Sequence, residues 1–280
     1  MRDIILQIDS YSEPTSAETI DQAVQFAALL GCPLTGMATH IDIRTPDNWL
    51  AERLLNVSKL AEAEEAKSLE AARTSLVYLE KIAQRAGVKQ DGVIVRANLH
   101  AVGSCIARQA RTRDLCLVSV GAQIDSQRAV AEEVIFESGR PVLVFHPERA
   151  PLPSGQLKTV AIAWDGSRWA ARAVAGAIPI LQKSQDVRIV TAVGEKAAAA
   201  PHIGLDLVRH LSAHGITARI DEIDGVGRSI GASLDAYVEA QSPQIIVMGA
   251  YGSSRLKEFI LGGATAHILN SGRIAAFLAH

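Results

Sequence analysis

The sequence predicts an α/β fold made of two tandem, open, five-stranded parallel sheets with helices on both faces. Three observations carry this reading. Apolar runs rich in Val and Ile alternate with helical stretches, the pattern of parallel strands joined by right-handed crossovers. The same order of segments occurs twice within the 280 residues. Between the two occurrences stands Pro147-Glu148-Arg149-Ala150-Pro151-Leu152-Pro153-Ser154-Gly155, which can continue neither a strand nor a helix. The expected domains are therefore 1–147 and 157–280, with 148–156 as the linker.

The second copy reads β-α-β-α-β-α-β-α-β. Its strands are expected near 158–164, 186–193, 217–223, 244–249 and 273–279, and its helices near 168–183, 203–214, 228–240 and 262–270. In the first copy, strands are expected near 2–9, 33–40, 91–96, 114–120 and 141–146. The first copy also has a long second helix from Val57 to Ala86. Leu69, Ala72, Leu76, Leu79 and Ala83 give that helix an apolar stripe at a spacing of three to four. Glu62, Glu64, Glu65 and Lys67 form its expected solvated face, which reads as a covering or interaction element.

The repeat fixes where the copies differ. Ile4-Ile5-Leu6-Gln7-Ile8-Asp9 matches Val160-Ala161-Ile162-Ala163-Trp164-Asp165, an offset of 156. Gly103 through Gly121 aligns on Gly231 through Gly249, an offset of 128, so the first copy carries 28 extra residues in its middle. Ser138-Gly139-Arg140 recurs as Ser271-Gly272-Arg273, an offset of 133, so the second copy carries five extra residues after its fourth strand. Those five fall on a glycine-rich loop.

Composition narrows the classes. Hydrophobic residues make up 48% and charged residues 21%, which excludes a disordered chain. Aromatics are only 4%, so the core must be built from Ala, Val, Ile and Leu. A net charge of −2 lacks the basic footprint of a nucleic-acid binder, and no apolar run approaches the ~20 residues of a membrane span. Neither nucleic acid nor membrane is an expected partner. Asp9 follows the first apolar run too soon for a signal peptide. Three cysteines without paired spacing fit a reducing cytoplasm, with Cys105 and Cys116 read as buried small residues.

The strongest local signal is Gly249-Ala250-Tyr251-Gly252, nine residues, then Gly262-Gly263-Ala264-Thr265. It follows a buried strand and opens a helix, at the sheet edge where open α/β folds bind ligands. Glycines there let the backbone approach a phosphate, and amides at a helix start point at an anion. Thr265 could add a hydroxyl. A plainer account makes the glycines turn and cap residues. Asp165 ends the neighbouring strand and could accept from a base amino group or a ribose hydroxyl, or cap the next helix with Ser167. The run Gly225 to Gly231 mimics a dinucleotide fingerprint, but its spacing is one residue long and it follows a third strand. His210 and His214 sit four apart on a helix without a local partner ligand and read as a solvated face. No Gly-Lys-Ser/Thr loop and no nucleophile elbow occurs.

These residues resemble the universal stress protein family in its tandem-domain bacterial form. The family's ATP-binding pattern is Gly, two residues, Gly, nine residues, Gly, then Ser or Thr. Gly249, Gly252 and Gly262 keep the spacing, and Gly263 replaces the hydroxyl residue. Ala163-Trp164-Asp165-Gly166-Ser167 and Met248-Gly249-Ala250-Tyr251-Gly252 are similar to the second domain of such proteins. The resemblance implies a Rossmann-like fold of the adenine nucleotide alpha hydrolase type, with strand order 3-2-1-4-5. It implies ATP or a related adenine nucleotide at the second copy, often with Mg²⁺ or Mn²⁺. Ala163, Trp164 and Asp165 would line the adenine and ribose end, with Val193 as adenine wall. Met248, Gly249 and Gly252 would lie under ribose and phosphates, with Gly262, Gly263 and Ala264 cradling the terminal phosphates.

In the first copy, Gly121 is followed by Ala122-Gln123-Ile124-Asp125, without the second glycine and five residues shorter. Glu132 and Glu133 add negative charge, so this copy reads as structural or regulatory. A regulatory nucleotide-binding stress protein is the leading expectation. A slow ATPase or phosphotransferase and a nucleotide-free interaction module stay open. The resemblance also implies that the two fifth strands pair antiparallel as an internal pseudo-dimer, leaving other surfaces for a homodimer.

Overall fold

The computed structural model describes residues 1–44, 57–121, 124–193, 203–224, 227, 229–250 and 263–280. The described strands are β1 (Ile4–Ile8), β2 (Leu34–Ile41), β3 (Gln90–Ala97), β4 (Leu115–Ser119), β5 (Val142–Phe145), β6 (Leu157–Ala163), β7 (Ser184–Val193), β8 (Ala218–Asp224), β9 (Ile245–Gly249) and β10 (Ala275–Ala279). The α-helices are α1 (Ala17–Leu30), α2 (Val57–Ala86), α3 (Val102–Ala110), α4 (Ile124–Glu137), α5 (Arg168–Leu181), α6 (Ile203–Ala213), α7 (Ile230–Gln241) and α8 (Gly263–Ser271). Alternating apolar strands and helices in the sequence thus become alternating elements, with ends close to those the sequence predicts.

All ten strands form one sheet, in the order β3-β2-β1-β4-β5-β10-β9-β6-β7-β8. Within each half the order is third, second, first, fourth, fifth, and every pairing is parallel. The two five-stranded sheets join edge to edge through their fifth strands, as the resemblance implies. β5 and β10 pair antiparallel, with Val142, Leu143 and Val144 opposite Leu278, Phe277 and Ala276. All nine of these strand residues are buried, and an unpaired edge there would leave backbone N–H and C=O groups dry and unsatisfied.

One face of the sheet is covered by α1, α2, α5 and α6, through residues such as Val24, Leu79, Val174 and Leu211. The other is covered by α3, α4, α7 and α8, through Ile106, Val134, Leu234 and Ile268. Each fully buried Leu, Ile or Phe contributes about 1.5–3 kcal/mol relative to exposure. Serine caps start several helices: Ser16 accepts from Thr19 N, Ser167 from Ala170 N and Ser229 from Ala232 N. The outer strand β8 is protected by charge. Arg188 pairs with Asp186 and Asp221, Arg219 pairs with Asp186, and the Tyr237 hydroxyl donates to Asp221 Oδ2 at 2.6 Å. Burial, followed by that bond to Asp221, pushes the Tyr237 phenol well above its ordinary range.

Two details depart from the sequence reading. Glu65 is not part of a solvated face: it accepts from Ile43 N at 2.8 Å and pairs with Arg96 at 3.1 Å, because α2 folds back over the end of β2. Cys105 is half-buried rather than buried, since α3 turns it toward Arg108. Cys32 and Cys116 are buried, and all three thiols are free. The Pro-rich segment is docked on α1: Gln22 Nε2 donates to Pro147 O at 2.8 Å, Leu152 N donates to Gln22 Oε1 at 3.2 Å, and Leu152 enters the core. No described helix is long and apolar enough to cross a membrane.

Candidate functional site

The ends of β6 and β9 lie side by side, with Ala163 in register with Met248. On the other side of β6, Val190 of β7 is in register with Ala163, and β7 continues beyond it to Val193. The connections leaving β6 and β9 therefore diverge at their carboxyl ends, which is the switch point where α/β sheets bind ligands.

The predicted residues separate into distinct roles around that point. Asp165 is exposed, and its Oδ1 accepts from Ser167 N at 2.9 Å, so the carboxylate both steadies the start of α5 and faces solvent. Trp164 is half-buried; its indole Nε1 donates to Ile203 O at 3.0 Å and its backbone N to Val190 O at 2.9 Å. Val193 is 43% exposed at the tip of β7, unusual for a large aliphatic residue on a central strand. Met248 is buried in the core beneath α7 and α8, so only its backbone faces the edge. Ala163 packs against the same core.

Gly249 has a structural duty that the sequence does not reveal. A Cβ there would lie 2.6 Å from Ala170 N and 2.7 Å from Trp169 C, so the start of α5 occupies the side-chain position. Gly263 is the opposite case. It begins α8, is exposed, and a Cβ added to it meets no described atom within 4 Å. Ala264 follows, half-buried. Thr265 is buried and its hydroxyl donates to Gly249 O at 3.4 Å, so it ties α8 to the end of β9. The first-turn amides of a helix have no intrahelical acceptor, and those of Gly263 and Ala264 belong to a helix held at the switch point. Gly252 and Gly262 lie outside the described residues.

Ile203 was not singled out by the sequence. Besides accepting from Trp164, it covers Gly166, where an added Cβ would lie 2.6 Å from its Cδ1. It thereby fixes the first turn of α6 against the loop that carries Asp165. The exposed guanidinium of Arg168 stacks on Trp169 at 4.4 Å, leaving a cation at the same rim. Ser229 caps α7, as expected for the end of the glycine-rich decoy; Gly225, Val226 and Arg228 of that run lie outside the described residues. The rings of His210 and His214 meet edge to face at 4.9 Å.

No protein-family model matches the sequence, and no curated protein matches it. Solved structures match along almost the whole chain. A universal stress protein from Archaeoglobus fulgidus DSM 4304 aligns with a TM-score of 0.64 at 16% identity, over 98% of this chain and 95% of that one. The chain has the universal stress protein fold. A second structure, provisionally assigned to the same family and from Pseudomonas aeruginosa UCBPP-PA14, aligns with a TM-score of 0.59 at 12% identity, over 99% of this chain and 93% of that one. A functionally unknown protein from Pseudomonas aeruginosa PAO1 aligns with a TM-score of 0.58 at 12% identity, over 98% and 92% of the two chains. At such identities the likeness is one of fold. The universal stress protein fold sets the ten strands and the two switch points; the side chains at each decide what it can hold.

Proposed function

We propose that this chain is a universal stress protein that binds one adenine nucleotide, ATP or a close relative, at the carboxyl edge of its second half, and that it acts by binding rather than by turnover. One observation carries the reading: an exposed Asp165 carboxylate shares the switch point with a helix start at Gly263 whose side-chain direction is free of described atoms. That pairing offers an acceptor for hydroxyl or amino groups and donors for phosphate. Asp165 takes the ribose, Val193 and Trp164 flank the adenine, and the backbone at Met248 and Gly249 lies beneath the sugar. Gly263 and Ala264 donate amides to the phosphates, with Gly252 and Gly262 assigned by motif spacing. Thr265 acts through its bond to Gly249. Mg²⁺ or Mn²⁺ would arrive with the phosphates, whose charge it neutralises.

The proposed division is 1–147 and 157–280, joined by 148–156. In this reading the β5–β10 seam makes the two halves an internal pseudo-dimer, and the three free thiols suit a reducing cytoplasm. Native mass spectrometry of the purified chain tests the reading: an added mass equal to one adenine nucleotide supports it, and failure to bind added ATP under the same conditions counts against it. Metal-dependent release of ADP at a rate comparable to binding would replace a regulatory role by an ATPase one.

A further inference from the structure

The corresponding edge of the first half is filled by the chain itself. Asp9 follows β1 as Asp165 follows β6, and Gly121 corresponds to Gly249 at the end of the fourth strand. Gln127, in the first turns of α4, spans the two. Its Oε1 accepts from Gly121 N at 2.6 Å, and its Nε2 donates to Asp9 Oδ2 at 3.1 Å. Gln7 Nε2 donates to the other carboxylate oxygen, Oδ1. Position 7 corresponds to Ala163, so a buried carboxamide stands where the second half has a methyl group. Gln7 Oε1 is buried without a hydrogen-bond partner among the described residues.

The neighbouring part of the same edge is closed by α2. Ser68 Oγ accepts from Ile41 N at 3.0 Å and shares a hydrogen bond with Ser10 Oγ at 2.7 Å. Among the described residues no comparable side chain reaches Asp165, whose described partner is the Ser167 amide.

We propose that Gln127 is the built-in ligand of the first half: its carboxamide permanently occupies a pocket whose walls supply one amide donor, Gly121, and one carboxylate acceptor, Asp9. The pocket is matched to a primary carboxamide, which carries an acceptor and a donor on one carbon. A carboxylate would set like charge beside Asp9, and an ammonium would leave the Gly121 amide unpaired. Burial raises the Asp9 carboxyl above its ordinary range, while the bonds from Gln127 and Gln7 oppose that shift. On the nucleotide reading above, the first half stays in its occupied form at every nucleotide concentration and the second half alone responds. The occupancy itself does not rest on that reading, and its test uses no nucleotide.

The full-length Gln127→Ala variant empties the pocket and removes the partner of the Gly121 amide and of Asp9 Oδ2, while Gln7 stays on Oδ1. We expect its melting temperature to fall by several degrees and to recover in part with acetamide. Sodium acetate and methylammonium chloride at the same concentration should give no recovery, and the wild type should not respond to acetamide. An unchanged melting temperature, an equal acetamide effect in both proteins, or recovery with acetate would overturn the proposal. Should the alanine variant fail to fold, amide exchange in the wild type decides the matter. The Gly121 amide should then be strongly protected, and exchange at the rate of an open loop amide would overturn the assignment.

Discussion

Gly263→Ala separates a ligand-facing glycine from a structural one. A Cβ at Gly263 meets no described atom within 4 Å, so the protein itself offers no clash. Replacing Gly by Ala within a helix is worth up to about 0.5–1 kcal/mol in favour of the fold. The melting temperature should therefore hold or rise by about 2 °C. A phosphate approaching the Gly263 amide would instead meet the new methyl group. Losing one charge-assisted hydrogen bond costs about 1.5–3 kcal/mol, which is roughly 10- to 150-fold in affinity. The matched control is Gly121→Ala, where the nearest described atom to a new Cβ is Gln127 Oε1 at 3.8 Å. The assay is ATP titration by calorimetry on wild type and both variants, with melting curves alongside. Equal ATP affinity in wild type and a folded Gly263→Ala would refute the backbone approach at α8.

Other substitutions test the packing that surrounds the site. Gly249→Ala should behave oppositely to Gly263→Ala: its Cβ would press on the Trp169–Ala170 backbone, destabilising the fold by about 1–3 kcal/mol, seen as a lower denaturation midpoint in urea. Tyr237→Phe removes the 2.6 Å bond to Asp221, which keeps Arg188 at 3.0 Å, and should cost about 1–2 kcal/mol by the same measurement. Asp9→Asn tests the buried carboxyl. Because burial raises the folded-state pKa of Asp9, its contribution is present below the unfolded value of about 3.9 and is lost as pH rises through the folded value. The stability difference between the asparagine variant and wild type should therefore move in the variant's favour as pH rises above about 4, and a pH-independent difference would remove this account of Asp9.

Much of the sheet was legible because both of its signals are local. The apolar runs ending in Asp9 and Asp165 mark the first strand of each half, and the doubled Ser-Gly-Arg turn marks the approach to the last. The joined sheet followed less directly, since the pairing of Leu143 with Phe277 links residues far apart in sequence. At the site, Asp165 and Gly263 could be nominated from a motif. The duty of Gly249 could not, because the α5 backbone that fills its side-chain position comes from residues 169 and 170. Glu65 was misread for the same reason: its partners, Ile43 N and Arg96, lie on other elements. Gln127 left one visible trace. Gln7 interrupts an otherwise apolar strand beside Asp9, and a buried polar side chain there implies polar neighbours.

The central claim is that the two switch points of one sheet have unlike occupants, a nucleotide in the second half and a glutamine side chain in the first. Calorimetric titration of the full-length chain with ATP in magnesium-containing buffer tests it most directly. The account predicts a stoichiometry of one nucleotide per chain. Two sites per chain would contradict the closure of the first half, and no binding would contradict the assignment of the second.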